Sequence, residues 1–140
     1  MKHTRFAPAL ILVLLASPAL PAPQTEFIGS YYKTPEQKAM DCYARGVKAK
    51  RKAEAEKDPE KQSKLYLKAK EELSKSVGYL GHYDGYLALG QVYLALGQSE
   101  AAFDACTQAQ RLKPGDAAAT ACVEEARKRT RDAQQGSPGQ

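Results

Sequence analysis

Helix starts and stops constrain this chain more than any other feature. After residue 33, five short stretches begin or end helices and leave only short segments between them. In 34-TPEQ-37, Thr34 can cap, Pro35 suits the first helical position and Gln37 can complete a capping box. In 58-DPEK-61, Asp58 caps and Pro59 stands just inside. The three glycines of 78-GYLGHYDG-85 break the second segment, Gly97-Gln98-Ser99 turns the chain, and Pro114-Gly115-Asp116 turns it again with Asp116 as a cap. Five helices follow, at about 35–57, 59–77, 84–96, 99–112 and 117–133. Each carries small or apolar residues at helical spacing: Ala39, Cys42, Tyr43, Gly46 and Ala49 in the first, and Tyr66, Ala69, Leu73 and Ser76 in the second. The chain has no Trp, few β-branched residues beyond its start, and much Ala, Lys, Glu, Gln and Leu. That composition favours helix throughout and no strand. Short loops make consecutive helices antiparallel neighbours.

The first residues read differently. Lys2 and Arg5 precede an apolar run from Phe6 to Ala16, and small residues and prolines follow. This is the plan of a secretory signal peptide over 1–19, with Ser17 and Ala19 at the cleavage site and 22 as its latest position. The run is 11 residues long, against about 20 for a bilayer-spanning helix, so no stable membrane span is expected in the mature form. Cleavage removes two basic residues and lowers the formal charge from +5 to +3. Residues 20–34 read as a flexible linker, 35–133 as the helical domain and 134–140 as a disordered tail. Export places the protein in the periplasm or cell envelope.

The stretch 86-YLALGQVYLALGQ-98 writes YLALGQ twice, seven residues apart, so both copies lie on one helix face. Gly90 falls inside the helix, where glycine costs about 1 kcal/mol relative to alanine, and Gly97 falls at its end. Tyr86, Leu89, Gly90, Tyr93, Gly97, Ala102, Cys106, Ala109, Leu112 and Pro114 follow the spacing W-x2-L-G-x2-Y, then Ala, large apolar, Ala and Pro. On these residues the segment 83–116 resembles a tetratricopeptide repeat, with Tyr86 for the Trp and Cys106 for the large apolar residue. Gly90, Ala102 and Ala109 let the two helices approach. Tyr86, Leu89, Tyr93 and Leu112 are expected to fill the space around them, and Cys106 leaves volume for something else to fill. A degenerate, extended copy precedes it over 35–82, with Arg45-Gly46 in the Leu-Gly place and about 11 extra residues shared across both helices. The helix at 117–133 reads as a polar cap. The resemblance implies an all-α antiparallel helix-hairpin solenoid: two hairpins and a C-terminal capping helix.

It also implies a function. Such arrays bind protein segments on the concave face lined by the first helix of each repeat. Here that face would present Tyr43, Val47 and Lys50, then Leu87, Gln91 and Leu94. Ordinary surface is the competing reading of all six. The Lys/Asn clamp with which some members grip a terminal carboxylate is absent, which argues against a chaperone-tail adaptor. The expectation is a non-catalytic protein-interaction adaptor of the bacterial cell envelope. The alternative is a structural, self-associating homo-oligomer or an accessory protein whose basic hairpin tip meets an acidic partner or anionic envelope polymer.

No catalytic or metal constellation is legible. His82 is the one histidine beyond the signal segment and reads as an exposed turn residue. Phosphate loops, nucleophile elbows and zinc spacings are absent, so neither enzyme activity nor a cofactor is expected. Glu71-Glu72 and Glu124-Glu125 read as solvated pairs. The basic run 48-KAKRKAEAEK-57 reads as a solvated tip in which Lys50-Glu54 and Lys52-Glu56 can pair, rather than as a nucleic-acid site. Cysteines 42, 106 and 122 would meet an oxidising compartment. Three arrangements stay open: a Cys106–Cys122 bridge between consecutive antiparallel helices, three buried thiols, or a pairing that uses Cys42.

Overall fold

The computed structural model describes residues 32–136. The signal segment, residues 20–31 of the linker and residues 137–140 of the tail lie outside them. Five helices follow in order: α1 (Pro35–Ala55), α2 (Pro59–Tyr79), α3 (Tyr83–Ala95), α4 (Ser99–Leu112) and α5 (Ala117–Gln135). No strand occurs among the described residues, and no helix there is long and apolar enough to cross a membrane.

Local chemistry sets the helix ends. Thr34 Oγ1 accepts from Gln37 N at 3.3 Å while Thr34 N donates to Gln37 Oε1 at 3.0 Å, a complete capping box. Asp58 Oδ1 accepts from Glu60 N and Lys61 N, and Asp116 Oδ1 from Ala118 N and Ala119 N, so two orphan amides at each start are satisfied. At the end of α3, Gly97 takes φ +72°. Its N–H donates to Leu94 O, and Gln98 N donates to Tyr93 O at 2.9 Å. This is a Schellman stop, in which glycine avoids the Cβ penalty of the left-handed region.

Three boundaries differ from expectation by two residues, each for a local reason. α1 stops at Ala55 rather than near 57 because Glu56 Oε1 accepts the amides of Lys57 and Asp58, which closes the turn early. α2 runs through Gly78 to Tyr79, because Leu80 N still reaches Ser76 O at 3.0 Å before Leu80 turns extended. α5 continues to Gln135, two residues into the expected tail, and its last turns need no burial to propagate.

α1 and α2 pack antiparallel along their whole length. Ser76 Oγ donates to Ala39 O at 2.7 Å, Arg45 Nε meets Glu72 at 2.5 Å, and Gln62 Nε2 donates to Ala53 O at 3.1 Å. Glu72 is therefore an interhelical ion-pair partner rather than a solvated carboxylate, and the hydrogen bond from Arg45 holds its pKa below the usual value. The seam is built from Ala39, Cys42, Gly46, Ala49 and Ala53 against Ala69, Leu73 and Ser76. A side chain at Gly46 would lie 2.6 Å from Leu73 Cγ, so glycine there permits the close approach. The extra residues of the first hairpin are shared between its two helices, each 21 residues long, against 13 and 14 in the second.

The second hairpin repeats this geometry with a third partner. Ala102, Cys106 and Ala109 are fully buried, and Leu89 and Val92 join the core of the first hairpin. Cys106 and Cys122 are disulfide-bonded with Cα atoms 5.7 Å apart, and Cys42 is a buried free thiol. Both sulfurs abut Gly90, where an added Cβ would sit 3.1 Å from Cys122 Sγ and closer still to Cys106 Sγ. The volume left by a cysteine at 106 is thus filled by the sulfur of α5, with Leu87, Leu94 and Phe103 packed around the pair. Leu112 does not fill it: its side chain is 51% exposed, because the helix ends there and turns it to solvent.

The helix junctions are tied by side chains. Tyr83 OH donates to Asp116 Oδ1 at 2.5 Å, linking the start of α3 to the cap of α5. Lys113 lies over the same ring, 5.0 Å from its centroid. His82 is not an exposed turn residue. It is half-buried, its ring meets Tyr43 edge-on at 5.4 Å, and Nδ1 lies 2.9 Å from Leu80 O. Because that carbonyl can only accept, Nδ1 carries the proton. Nε2 is buried without a partner among the described residues.

Candidate functional site

The six residues expected on the concave face do not form one surface. Lys50, Gln91 and Leu94 line an open trough together with Glu54, Tyr66, Ala95 and Arg129, so that α1, α2, α3 and α5 all contribute. Tyr43 and Val47 lie in a separate hollow on α1 itself. Leu87 lies in neither. It is partly buried against Cys106, Cys122 and Val123, so the reading of Leu87 as sticky surface is replaced by a packing role around the disulfide. Leu94 does both, packing on that cluster while bordering the trough.

The four-helix trough has an apolar floor and two cationic walls. Tyr66 and Leu94 are partly buried, while Gln91 and Ala95 face solvent. Burial holds the phenol of Tyr66 above its ordinary pKa, with the charge of Glu54 adding to the effect. Lys50 Nζ pairs with Glu54 at 3.0 Å on α1. On α5, Arg129 Nε pairs with Glu125 at 2.6 Å, and its Nη1 donates to Leu94 O at 2.8 Å. That last bond is a second one on a carbonyl that already accepts from the Gly97 amide, and it fixes the guanidinium plane at the mouth of the trough. The Arg129–Glu125 pair is exposed, and such pairs four residues apart on a helix are worth a few tenths of a kcal/mol, so the arginine can exchange carboxylates readily; Lys50 is half-buried.

Two of these residues were not anticipated as surface. Tyr66 shares the spacing of the α2 packing stripe, which hides its ring edge in the trough. Arg129 continues the α5 stripe Cys122–Ala126–Arg129, and an arginine on a buried stripe is the signal that its head group has a partner near the core.

The hollow on α1 is bordered by Tyr43, Val47, Lys48, Arg51 and Lys52. Burial pushes the Tyr43 phenol up, the charge of Asp84 adds to this and that of Arg51 opposes it. The expected Lys52–Glu56 pair does not form, because the Glu56 carboxylate is taken by the turn amides of Lys57 and Asp58. Among the described residues, no three His, Cys, Asp or Glu side chains converge as metal ligands. No family model matches this chain, and no curated protein or solved structure matches it either.

Proposed function

We propose that this protein is a non-catalytic interaction module, a short tetratricopeptide-like array exported to the bacterial cell envelope. On this reading it seats a segment of a partner protein in the trough between α1, α2, α3 and α5. The observation that carries the reading is the lining of that trough by four helices, with Tyr66 and Leu94 as floor and Lys50, Gln91 and Arg129 as polar rim. A surface assembled from side chains of several packed helices keeps its shape without a ligand, which lowers the ordering cost of binding. The repeat-like spacing of 83–116, with Gly90, Ala102 and Ala109 at the helix contact, supports the family reading.

In-cell photocrosslinking tests it. A photoreactive residue at Gln91, which is exposed and borders the trough, is expected to yield a discrete adduct with an envelope protein. One at Gln108, exposed on α4, is expected to yield none. The bulky variant Gln91→Trp should abolish any adduct formed from position 95 while leaving the helical circular dichroism intact. Equal adducts from 91 and 108, or none from 91, would reject the reading.

A further inference from the structure

The hollow on α1 lies apart from the trough assigned above and carries a different chemistry. Lys48, Arg51 and Lys52 flank a floor of Ala44, Val47 and Ala55 on one exposed helix face. None of the three cations has a carboxylate within ion-pair distance among the described residues. The carboxylate placed by sequence to neutralise Lys52, that of Glu56, is committed to backbone amides. Three like charges left open on one helix face make it complementary to an acidic surface.

The shape of the floor decides which kind. Ala44 and Ala55 are small and exposed, while Val47 and Tyr43 are held against the core of the first hairpin. Met40, one turn before Ala44, is the one exposed large apolar side chain of α1, and a single such residue falls short of the broad apolar face that an interfacial helix lays into a bilayer. Small residues along a face instead permit close approach of another helix. From Ala44 to Ala55 the floor runs about 16 Å, three turns of α1. We infer that this face of α1 seats an acidic amphipathic helix of a partner protein, with its small apolar residues on Ala44, Val47 and Ala55 and its carboxylates against Lys48, Arg51 and Lys52.

The test uses the full chain and a labelled synthetic peptide of about five helical turns, with Ala and Leu on one stripe and Glu on both flanks. Fluorescence anisotropy in about 0.15 M salt reads the affinity. Binding at micromolar concentration is expected, and Lys48→Glu/Arg51→Glu/Lys52→Glu should weaken it by about tenfold or more. The double variant Ala44→Lys/Ala55→Lys separates seating from diffuse attraction. It adds charge but obstructs the floor, so a seated helix binds more weakly and a diffuse contact binds more tightly. Gln91→Trp, in the other trough, should leave peptide affinity unchanged. All substituted positions are exposed, and circular dichroism melts check that the fold persists. Four results would overturn the inference: no binding, equal binding by the charge-reversed variant, tighter binding by Ala44→Lys/Ala55→Lys, or binding to anionic phospholipid vesicles in place of the peptide.

Discussion

The two hairpins solve one packing problem with different means. In the first, Gly46 of α1 lies against Leu73 of α2; in the second, Gly90 of α3 lies against Cys106 of α4. The flanking positions correspond as well, Ala69 and Ser76 with Ala102 and Ala109, all fully buried. At the central position, however, leucine fills its own site, whereas cysteine is too small and borrows the sulfur of Cys122 from α5. The first hairpin also has 21-residue helices with a continuous seam of small residues, and the second has 13 and 14. Length substitutes for a cross-link in one; a cross-link and a third helix substitute for length in the other. α5 supplies the volume that its neighbour α4 lacks at Cys106.

The largest expected effect falls on the first hairpin, whose core Leu89 and Val92 of α3 also join. Leu73→Ala removes its one large fully buried side chain and should cost about 2–5 kcal/mol in urea unfolding. Removing the disulfide by Cys106→Ala/Cys122→Ala, with its separation of 16 residues, should cost about 3 kcal/mol. The location of the loss matters more than its size. Hydrogen exchange should accelerate in α5 and the end of α4 and stay unchanged in α1 and α2. Uniform acceleration would mean the hairpins form one cooperative unit and would break the comparison. The sharper variant, Cys106→Leu/Cys122→Ala, places leucine where the first hairpin has it. It should recover part of the lost stability, and no recovery would show that the two central positions are not equivalent.

A smaller contrast lies in the two contact glycines. Gly90→Ala forces a methyl against two bonded sulfurs that cannot rotate away, at about 1–3 kcal/mol after the helix gain of about 1 kcal/mol. Gly46→Ala meets Leu73, whose buried side chain is not covalently tied to a neighbouring helix, and although its Cγ would lie at 2.6 Å and its amide at 3.2 Å it should cost less. Thermal melts of the pair give the order directly.

The smallest effect is the pH dependence tied to the bond between Tyr83 and Asp116. The hydrogen bond to Asp116 raises the Tyr83 phenol from 10.0 to about 12. A raised pKa means that the fold favours the neutral phenol. This contribution is whole below pH 10 and is lost as the pH climbs to about 12. Asp116 runs the other way: the bonds from Tyr83 OH and Ala119 N lower its pKa below 3.8. Its contribution is present above that value and lost as the pH falls through the folded pKa. Tyr83→Phe should reduce the alkaline limb of stability between pH 10 and about 12, whereas Leu73→Ala should leave that limb as in the parent. An unchanged limb in Tyr83→Phe protein would show that the bond does not couple to folding.

Much of the fold was legible because helix boundaries depend on neighbours in sequence. Thr34 with Gln37, Asp58, Gly97 and Asp116 act within a few residues of themselves, and each does what its local chemistry dictates. The role of Gly90 followed from its spacing to Tyr86, Leu89 and Tyr93. The candidate site was legible only in part. Tyr43, Val47, Lys50, Leu87, Gln91 and Leu94 share a face when each helix is considered alone, yet the packing divides them among two hollows and a disulfide cluster. His82, Glu72 and Leu112 were misjudged for the same reason: their surroundings are supplied by residues far along the chain, or in the case of Leu112 withheld by them.

The sequence by itself determined five helices, their stops, the antiparallel order and the small residues at each crossing, because caps, left-handed glycines and helical periodicity act over a few residues. Only the tertiary structure decided which cations keep a carboxylate, which apolar side chains face solvent and which two cysteines meet. Those outcomes depend on contacts between segments tens of residues apart. Arg45 finds Glu72, Tyr83 finds Asp116 and Arg129 finds the Leu94 carbonyl, while Lys48, Arg51 and Lys52 are left with none among the described residues.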